Sequence, residues 1–343
     1  MKPSLPLLVA AALGLTGCSI ADQAPDNAQE ATPSVTIMTH DSFNVPEELV
    51  TQFEEESGYS VTTTSPGDAV AVLNQVTLQK DNPTVDAVYG IDNYSAPTLL
   101  SEDILVPHGA ELGDAQQYAV DSDTDGDLAP IDQGQVCVNM DNDWFDDSDL
   151  APPESLEDLT DPAYKDLFVT TDPTTSSPGL AFLVATIEAQ DDWQAYWQDL
   201  LDNGAKIASG WSDAYYSDFT AAGDGEYPLV LSYSSSPSAE DGSTSSISST
   251  CTEQVEYAGV LDNAGNPDGA KAFIEFMLDA DFQQTLPDEM YMYPVRDDVE
   301  LPEDWEQYAP LSEDPITVDL DEVAQNRDNW LDDWTQLYEN TDA

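Results

Sequence analysis

Residues 34–89 alternate between two hydrophobic rhythms, and this limits the fold more than any other feature of the chain. Residues 34–39 (SVTIMT) are β-branched with alternating apolar positions, a strand pattern. Residues 45–57 carry acids early and apolar residues at helical spacing, and Gly58 supplies a stop. Residues 59–64 read as a second strand. Residues 69–79 read as a second helix with Val72, Leu73 and Val76 on one face, and 85–89 as a third strand. Strand, helix, strand, helix, strand implies a parallel α/β sheet, whose ligands bind beyond the carboxyl ends of the strands. The loops at 40–42, 65–68 and 90–93 are therefore the first candidates for a site.

A second α/β block begins at Gln135. Residues 136–139, 167–170, 205–209 and 228–233 read as strands; 179–188 and 191–203 read as helices, the first opened by Ser176, Ser177 and Pro178. Residues 240–252 form a Ser/Gly-rich loop, 255–260 a strand returning toward the first block, and 268–279 with the segment to Trp334 are mainly helical. Two α/β blocks with more than one crossing predict two lobes around a ligand cleft. The expected boundaries are 34–134 plus 255–343 for lobe 1, and 135–254 for lobe 2.

The N-terminal residues speak to location. Lys2, an apolar run over 5–15 and then Leu15, Thr16, Gly17 and Cys18 have the layout of a secretory signal, and the run is too short to span a bilayer. The pattern resembles a bacterial lipoprotein box. It implies a signal peptide over 1–17, lipidation of Cys18 and a polar tether over 18–33, leaving an extracytoplasmic body anchored through lipid alone. Cys137 and Cys251 remain, and an oxidising compartment predicts that they pair.

Charge narrows the partners. The chain has 69 acidic and 7 basic residues, a net charge of -62. No basic patch can be built for DNA or RNA, an anionic membrane surface repels the body, and a cationic ligand is attracted. The acids are spread along the whole chain, so surface adaptation to salt or to a cell wall is the larger cause. With 41% hydrophobic residues and 7 Trp the chain can nonetheless fill a core.

Chemistry-bearing motifs are few. His40, Asp41 and Ser42 are triad residue types, but near neighbours are not expected to reach triad geometry, and His108 is the one other histidine. No carboxylate pair stands out for glycoside hydrolysis. Asp121, Asp123, Asp125, Gly126 and Asp132 fit a calcium loop, yet Pro130 interrupts it and Asp replaces the bidentate Glu, which favours a solvated acidic turn. Tyr215 and Tyr216 are a possible ferric pair, weighed against plain core or surface rings. Ser176 and Ser177 before a helix offer caps and free N–H groups for an anion or a hydroxyl. Trp211, Tyr215, Tyr233, Tyr291 and Tyr293 lie at expected loop or strand ends, where ring faces attract organic cations, although each also suits a core.

Six segments together carry a resemblance: 39–43 (THDSF), 86–93 (DAVYGIDN), 172–179 (DPTTSSPG), 210–215 (GWSDAY), 229–237 (LVLSYSSSP) and 292–295 (MYPV). In this order they resemble the thiamine-binding proteins of ATP-driven importers, in the two-lobed solute-binding superfamily. The resemblance implies an α/β, periplasmic-binding-protein-like fold of type II, with thiamine or a thiamine phosphate in the cleft. It implies no enzyme activity, no cofactor and no metal. The implied partners are a permease and its ATPase, and the protein is expected to be a monomer. Contacts are implied for Asp68, Ser176, Trp211, Tyr233 and Tyr291, with Asp41 and Asp92 in matching motifs and His40, Ser177 and Tyr215 beside them. His40 stands where better-known relatives have tyrosine, Tyr291 where they have tryptophan, and Ala239 where they have an aromatic. The scarcity of basic residues favours free thiamine over its phosphates. The alternatives are a ferric-iron-binding protein of the same fold and a secreted hydrolase.

Overall fold

The computed structural model describes residues 32–341 apart from 224. The expected signal segment, Cys18 and most of the tether lie outside the described residues. Among the described residues no helix is long and apolar enough to cross a membrane.

The chain starts as its alternation implies, with β1 (Ser34–Met38), α1 (Glu47–Ser57), β2 (Ser60–Thr64), α2 (Ala69–Leu78) and β3 (Ala87–Asp92). Short α3 (Ala96–Ser101) and β4 (Leu105–Val106) lead into the long β5 (Leu128–Asp141). Then come α4 (Asn142–Asp147), β6 (Phe168–Thr171), α5 (Ser177–Ala189), α6 (Trp193–Asp202) and β7 (Lys206–Ala208). A tight helical stretch begins at α7 (Trp211–Asp213), followed by β8 (Leu229–Tyr233), α8 (Ser236–Ala239) and β9 (Thr244–Ser246). The chain returns through β10 (Thr252–Leu261), then α9 (Pro267–Met277), α10 (Ala280–Gln283), α11 (Leu286–Met290), β11 (Tyr293–Pro294), α12 (Trp305–Tyr308) and α13 (Leu320–Thr341).

The main sheet runs β2-β1-β3-β10-β5-β8-β6-β7. Its two ends are parallel, β2-β1-β3 at one and β8-β6-β7 at the other. Its middle is antiparallel, because β10 opposes both β3 and β5, and β5 opposes β8. The parallel sheet implied by the sequence is thus confined to the ends. An apolar run marks a buried strand but carries no sign of its direction.

The apolar residues collect at the two ends of this sheet. At one end, Ile37, Phe53, Tyr89, Ile131 and Phe273 pack on one face, and Met38, Val72, Leu73, Val88 and Ile91 on the other. At the far end, Val136, Val138, Phe182, Trp197, Trp211 and Leu231 form a second core. β5 enters among the first group through Leu128, Ala129 and Ile131 and leaves in the second through Val136 and Val138. This is the two-lobed α/β arrangement, with shared strands as the crossing.

Two details correct the sequence-based assignment. Residues 255–343 are expected in lobe 1, but α13 lies on α6, with Trp334 edge-on to Trp197 at 5.6 Å and Val323 in the second core. The amphipathic stripe of α13 shows that it must dock, not where. Residues 240–252, expected as a loop, contain β9, which pairs with Asn139–Asp141 of β5. β10 reaches only as far as Val136 on that edge, so without β9 the last residues of β5 would be paired on the β8 side alone.

Cys137 in β5 and Cys251 just before β10 are bridged, as expected, across a separation of 114 residues. The bridge closes the end of the β5–β10 pairing, next to the Thr252–Val136 register position. The chain-entropy model assigns about 5 kcal/mol to a loop of this size. The double variant Cys137→Ala/Cys251→Ala should lose a comparable unfolding free energy in a denaturant titration. An unchanged midpoint and slope would show that the bridge does not stabilise the fold.

Candidate ligand-binding site

The expected loops at 40–42 and 65–68 meet the end of β3, which takes in residues 90–92 that were expected as a loop. His40 follows β1, Asp68 caps α2 and Gly90 lies in β3. The His40 ring rests against Gly90, whose φ is 91° and where a Cβ would stand 2.3 Å from the imidazole Cδ2. Glycine is what admits the ring. His40 Nε2 lies 3.3 Å from Glu256 Oε2, and its Nδ1 lies 3.2 Å from Ser42 Oγ. The tight turn brings Ser42 onto His40, but not in triad geometry. The order is the reverse of a hydrolytic triad, with serine on Nδ1 and carboxylate on Nε2. Burial opposes a charged His40, but Glu256, then Asp68 and Asp41, hold its pKa above the ordinary value.

Asp68 ties the start of α2 to the start of α7. Its Oδ1 accepts from the Ala69 N–H at 2.6 Å, and its Oδ2 accepts from the Trp211 N–H at 2.9 Å. Gly210 makes this approach possible, since a Cβ there would sit 3.2 Å from Asp68 Cβ and Oδ2. Trp211 is also fixed by its indole N–H, which donates to Ser232 Oγ at 2.8 Å. Its ring stacks on Tyr215 at 5.0 Å and is tilted toward Tyr233 at 6.2 Å. Partial burial, and then the Asp68 charge, raise the pKa of Asp41 nearby.

A buried polar chain continues from Tyr233. Gln254 Nε2 donates to Tyr233 Oη at 3.1 Å and to Glu256 Oε1 at 3.2 Å, and reaches Ser177 Oγ at 3.5 Å. Tyr89 Oη lies 3.1 Å from Glu256 Oε2 and also donates to Asp132 Oδ2. Asp132 and Glu256 are direct partners in the β5–β10 register. Burial, then the charges of Glu256 and Asp68, push the Tyr233 phenol well above its usual range. The arrangement offers an aromatic wall beside carboxylates, with phenol, amide and serine groups to orient a polar ligand.

The structure brings together His40, Asp41, Asp68, Ser177, Trp211 and Tyr233. Ser176 is fully buried and donates to Thr171 Oγ1 at 2.9 Å, behind the start of α5. Tyr215 supports Trp211 from behind, its hydroxyl near the Ser236 carbonyl and Glu240. Tyr291, half-buried with φ 55°, is held at its carbonyl by Ser235 Oγ and lies near Tyr216. The carboxylate of Asp92 is occupied, accepting from Tyr94 N–H at 2.8 Å, Ser95 N–H at 2.9 Å and Ser95 Oγ at 3.0 Å.

The expected metal motifs take other roles. Asp123 accepts from the N–H groups of Gly126, Asp127 and Leu128, while Asp132 points to Tyr89, so the calcium-loop residues do not converge. Tyr215 stacks on Trp211 and turns its hydroxyl toward the Ser236 carbonyl and Glu240, and burial raises the pKa of both Tyr215 and Tyr216. Among the described residues, no group of three or more His, Cys, Asp or Glu could hold a metal ion.

Sequence reasoning missed Gln254 and Glu256, took Asp132 only as a calcium-loop position, and passed over Tyr89 within its motif. A signal was present. Asp132 follows Ile131, and Glu256 stands between Val255 and Tyr257, in strand-forming segments where an ionisable group that becomes buried calls for a partner.

A family model for bacterial extracellular solute-binding proteins matches residues 82–325. The chain belongs to that family. This solute-binding protein is 30% identical over 324 residues to the thiamine-binding periplasmic protein of Brucella suis, covering 90% of this chain and 92% of that one. It is 29% identical to the Escherichia coli thiamine-binding periplasmic protein, covering 89% and 93%. A solved periplasmic thiamin binding protein superposes with a TM-score of 0.78 at 27% identity, over 90% of this chain and 97% of that one. The ferric binding protein from Campylobacter jejuni superposes at 0.70 with 19% identity, over 88% and 99%, a likeness of fold.

Asp92 carries a pH prediction. Burial, only partly offset by Arg327 and by its hydrogen bonds, raises its carboxyl from 3.8 to about 6. The folded chain then holds this proton more tightly than the unfolded chain, so the contribution of Asp92 to stability is fully present below 3.8 and is lost as pH rises through about 6. Asp92→Asn keeps an acceptor for Tyr94 and Ser95 without ionising. It should flatten that part of the stability profile in thermal unfolding across the window. A profile parallel to the wild type would contradict this assignment.

Proposed function

We propose that this solute-binding protein captures thiamine outside the cytoplasm and delivers it to an ATP-driven importer. One observation carries the reading: Trp211, pinned by Asp68 and Ser232, stands beside Tyr233, whose hydroxyl leads through Gln254 to Glu256. Thiamine joins a flat aminopyrimidine to a permanently cationic thiazolium. Aromatic faces suit both rings, and nearby carboxylates suit the charge. No Lys or Arg belongs to this network among the described residues, which favours free thiamine over its phosphates. Thiamine-binding relatives of similar length support the choice of ligand.

The lobes are proposed to close on the ligand about β5 and β10, a hinge motion that ligand binding biases toward the closed state. Asp68 then acts as a latch, since it bonds to α2 in one lobe and to Trp211 in the other. Lobe 1 takes residues 34–134 and 255 to roughly 300, and lobe 2 takes 135–254 with α13. Cys18 is proposed as the lipidated anchor. Fractionation of cells expressing Cys18→Ser should move the protein from membrane to soluble fractions, and retention at the membrane would count against lipidation.

Calorimetry with thiamine, thiamine phosphate and ferric iron tests the ligand. Thiamine should bind at micromolar concentration or better. Trp211→Ala should weaken it by about 2–4 kcal/mol, as for a central stacking residue. Iron-dependent colour without thiamine binding would reverse the choice. Unchanged affinity in folded Trp211→Ala would remove this ring from the site.

A further inference from the structure

Asp132 and Glu256 face each other across β5 and β10 and are almost fully buried. Two adjacent carboxylates away from water repel strongly, and a proton shared between them relieves that repulsion. Tyr89 supplies a single hydroxyl hydrogen to two acceptors, Asp132 Oδ2 and Glu256 Oε2. Further polar capacity is unused: Asp132 Oδ1 and Gln254 Oε1 are buried without a hydrogen-bond partner. The amide head of Gln254 lies between Glu256 and the candidate contacts Tyr233 and Ser177. Glu256 is therefore one side chain removed from the proposed ligand site, with Asp132 beside it across the strands and buried acceptors in the network left without hydrogen-bond partners.

The surrounding charge is one-sided. His40 faces Glu256 from the loop after β1, and Tyr89 faces both carboxyls from β3. Tyr233 comes from β8, and Asp68, at the start of α2, adds its charge toward both His40 and Tyr233, with Asp41 beyond it. His40 is the one basic group among these. Burial, then the Glu256 charge, raises the Asp132 carboxyl well above its ordinary value.

We propose that the Asp132–Glu256 pair is a cation subsite that holds one proton while the cleft is empty and releases it when a cationic ligand enters. The proposal rests on the thiamine reading above. On entry the acid O–H bond breaks heterolytically. Its electron pair stays on the carboxylate oxygen, and the proton leaves to buffer. The ligand's positive charge replaces that of the proton, so the site's net charge is unchanged. Affinity for the cation then rises with pH, by up to about tenfold per pH unit while the pair is protonated.

Titration calorimetry of the full chain with thiamine near neutral pH, in phosphate and in Tris, tests this. The two buffers differ in ionisation enthalpy, so release of a proton makes the observed heats differ. The wild type should release up to one proton per thiamine, and Asp132→Asn should release none. Infrared spectra of the ligand-free wild type should show a protonated-carboxyl band that is lost on thiamine saturation and missing in Asp132→Asn. This wild-type measurement stands even if the variant does not fold. Thiamine binding with equal heats in both buffers, or with an unchanged band, overturns the subsite and leaves the thiamine reading intact. Absence of thiamine binding in equilibrium dialysis overturns both.

Discussion

The antiparallel pairing of β5 with β10 is the contact on which the remaining structure depends. These strands join two parallel half-sheets that would otherwise be separate layers, and each half-sheet has its own apolar core. Their shared register brings Glu256 opposite Asp132, places Gln254 beside Tyr233 and sets Cys251 against Cys137. A shift of one residue would turn these side chains to the other face of the sheet. The register shift at Glu256/Tyr257 lies at the carboxyl pair, so the backbone departs from regular pairing where the buried charge is concentrated.

An acid-rich chain faces a particular problem in building a cation site. Surface acids are solvated and contribute mainly a long-range field, which draws cations without selecting among them. Selectivity requires carboxylates withdrawn from water, and each of those must be stabilised by neighbours. Asp68 is held by two backbone N–H groups, and Glu256 by His40, Tyr89 and Gln254. The aromatic residues serve two ends at once. Tyr89 and Tyr233 bury ring area and offer hydroxyls to this network, whereas Tyr215 gives its face to Trp211. The chain thus separates abundant exposed charge from a few buried carboxylates with assigned partners.

Much of this was legible in the sequence, for a local reason. Strand and helix periodicity over 34–89, the glycine stop at Gly58 and the apolar runs of the second block report local backbone preference and burial, and most of these elements appear with shifts of a residue or two; the strand expected at 136–139 is the end of a longer one that begins at Leu128, and the one expected at 85–89 runs on to Asp92. His40, Asp68, Trp211 and Tyr233 could be singled out because loops at strand ends and helix starts are local features as well. The antiparallel direction of β5 and β10, the docking of α13 on α6 and the folding of β9 onto β5 could not. Each depends on which distant segment supplies the partner, and residue patterns do not encode direction or partner identity.

The sequence by itself determined an α/β chain with two blocks, a cysteine pair, a charge that excludes nucleic acid and a short set of polar and aromatic candidates. Tertiary structure alone decided how those candidates divide. Asp92 was drawn into the turn before α3, Tyr215 behind Trp211 and Ser176 beneath the start of α5, while Asp132, Gln254 and Glu256 moved into the site. The physical reason is that a side chain's role depends on what its polar atoms meet once water is removed. For these residues the groups met come from segments 124 residues apart in the chain, as with Asp132 and Glu256, or 143 apart, as with Asp68 and Trp211.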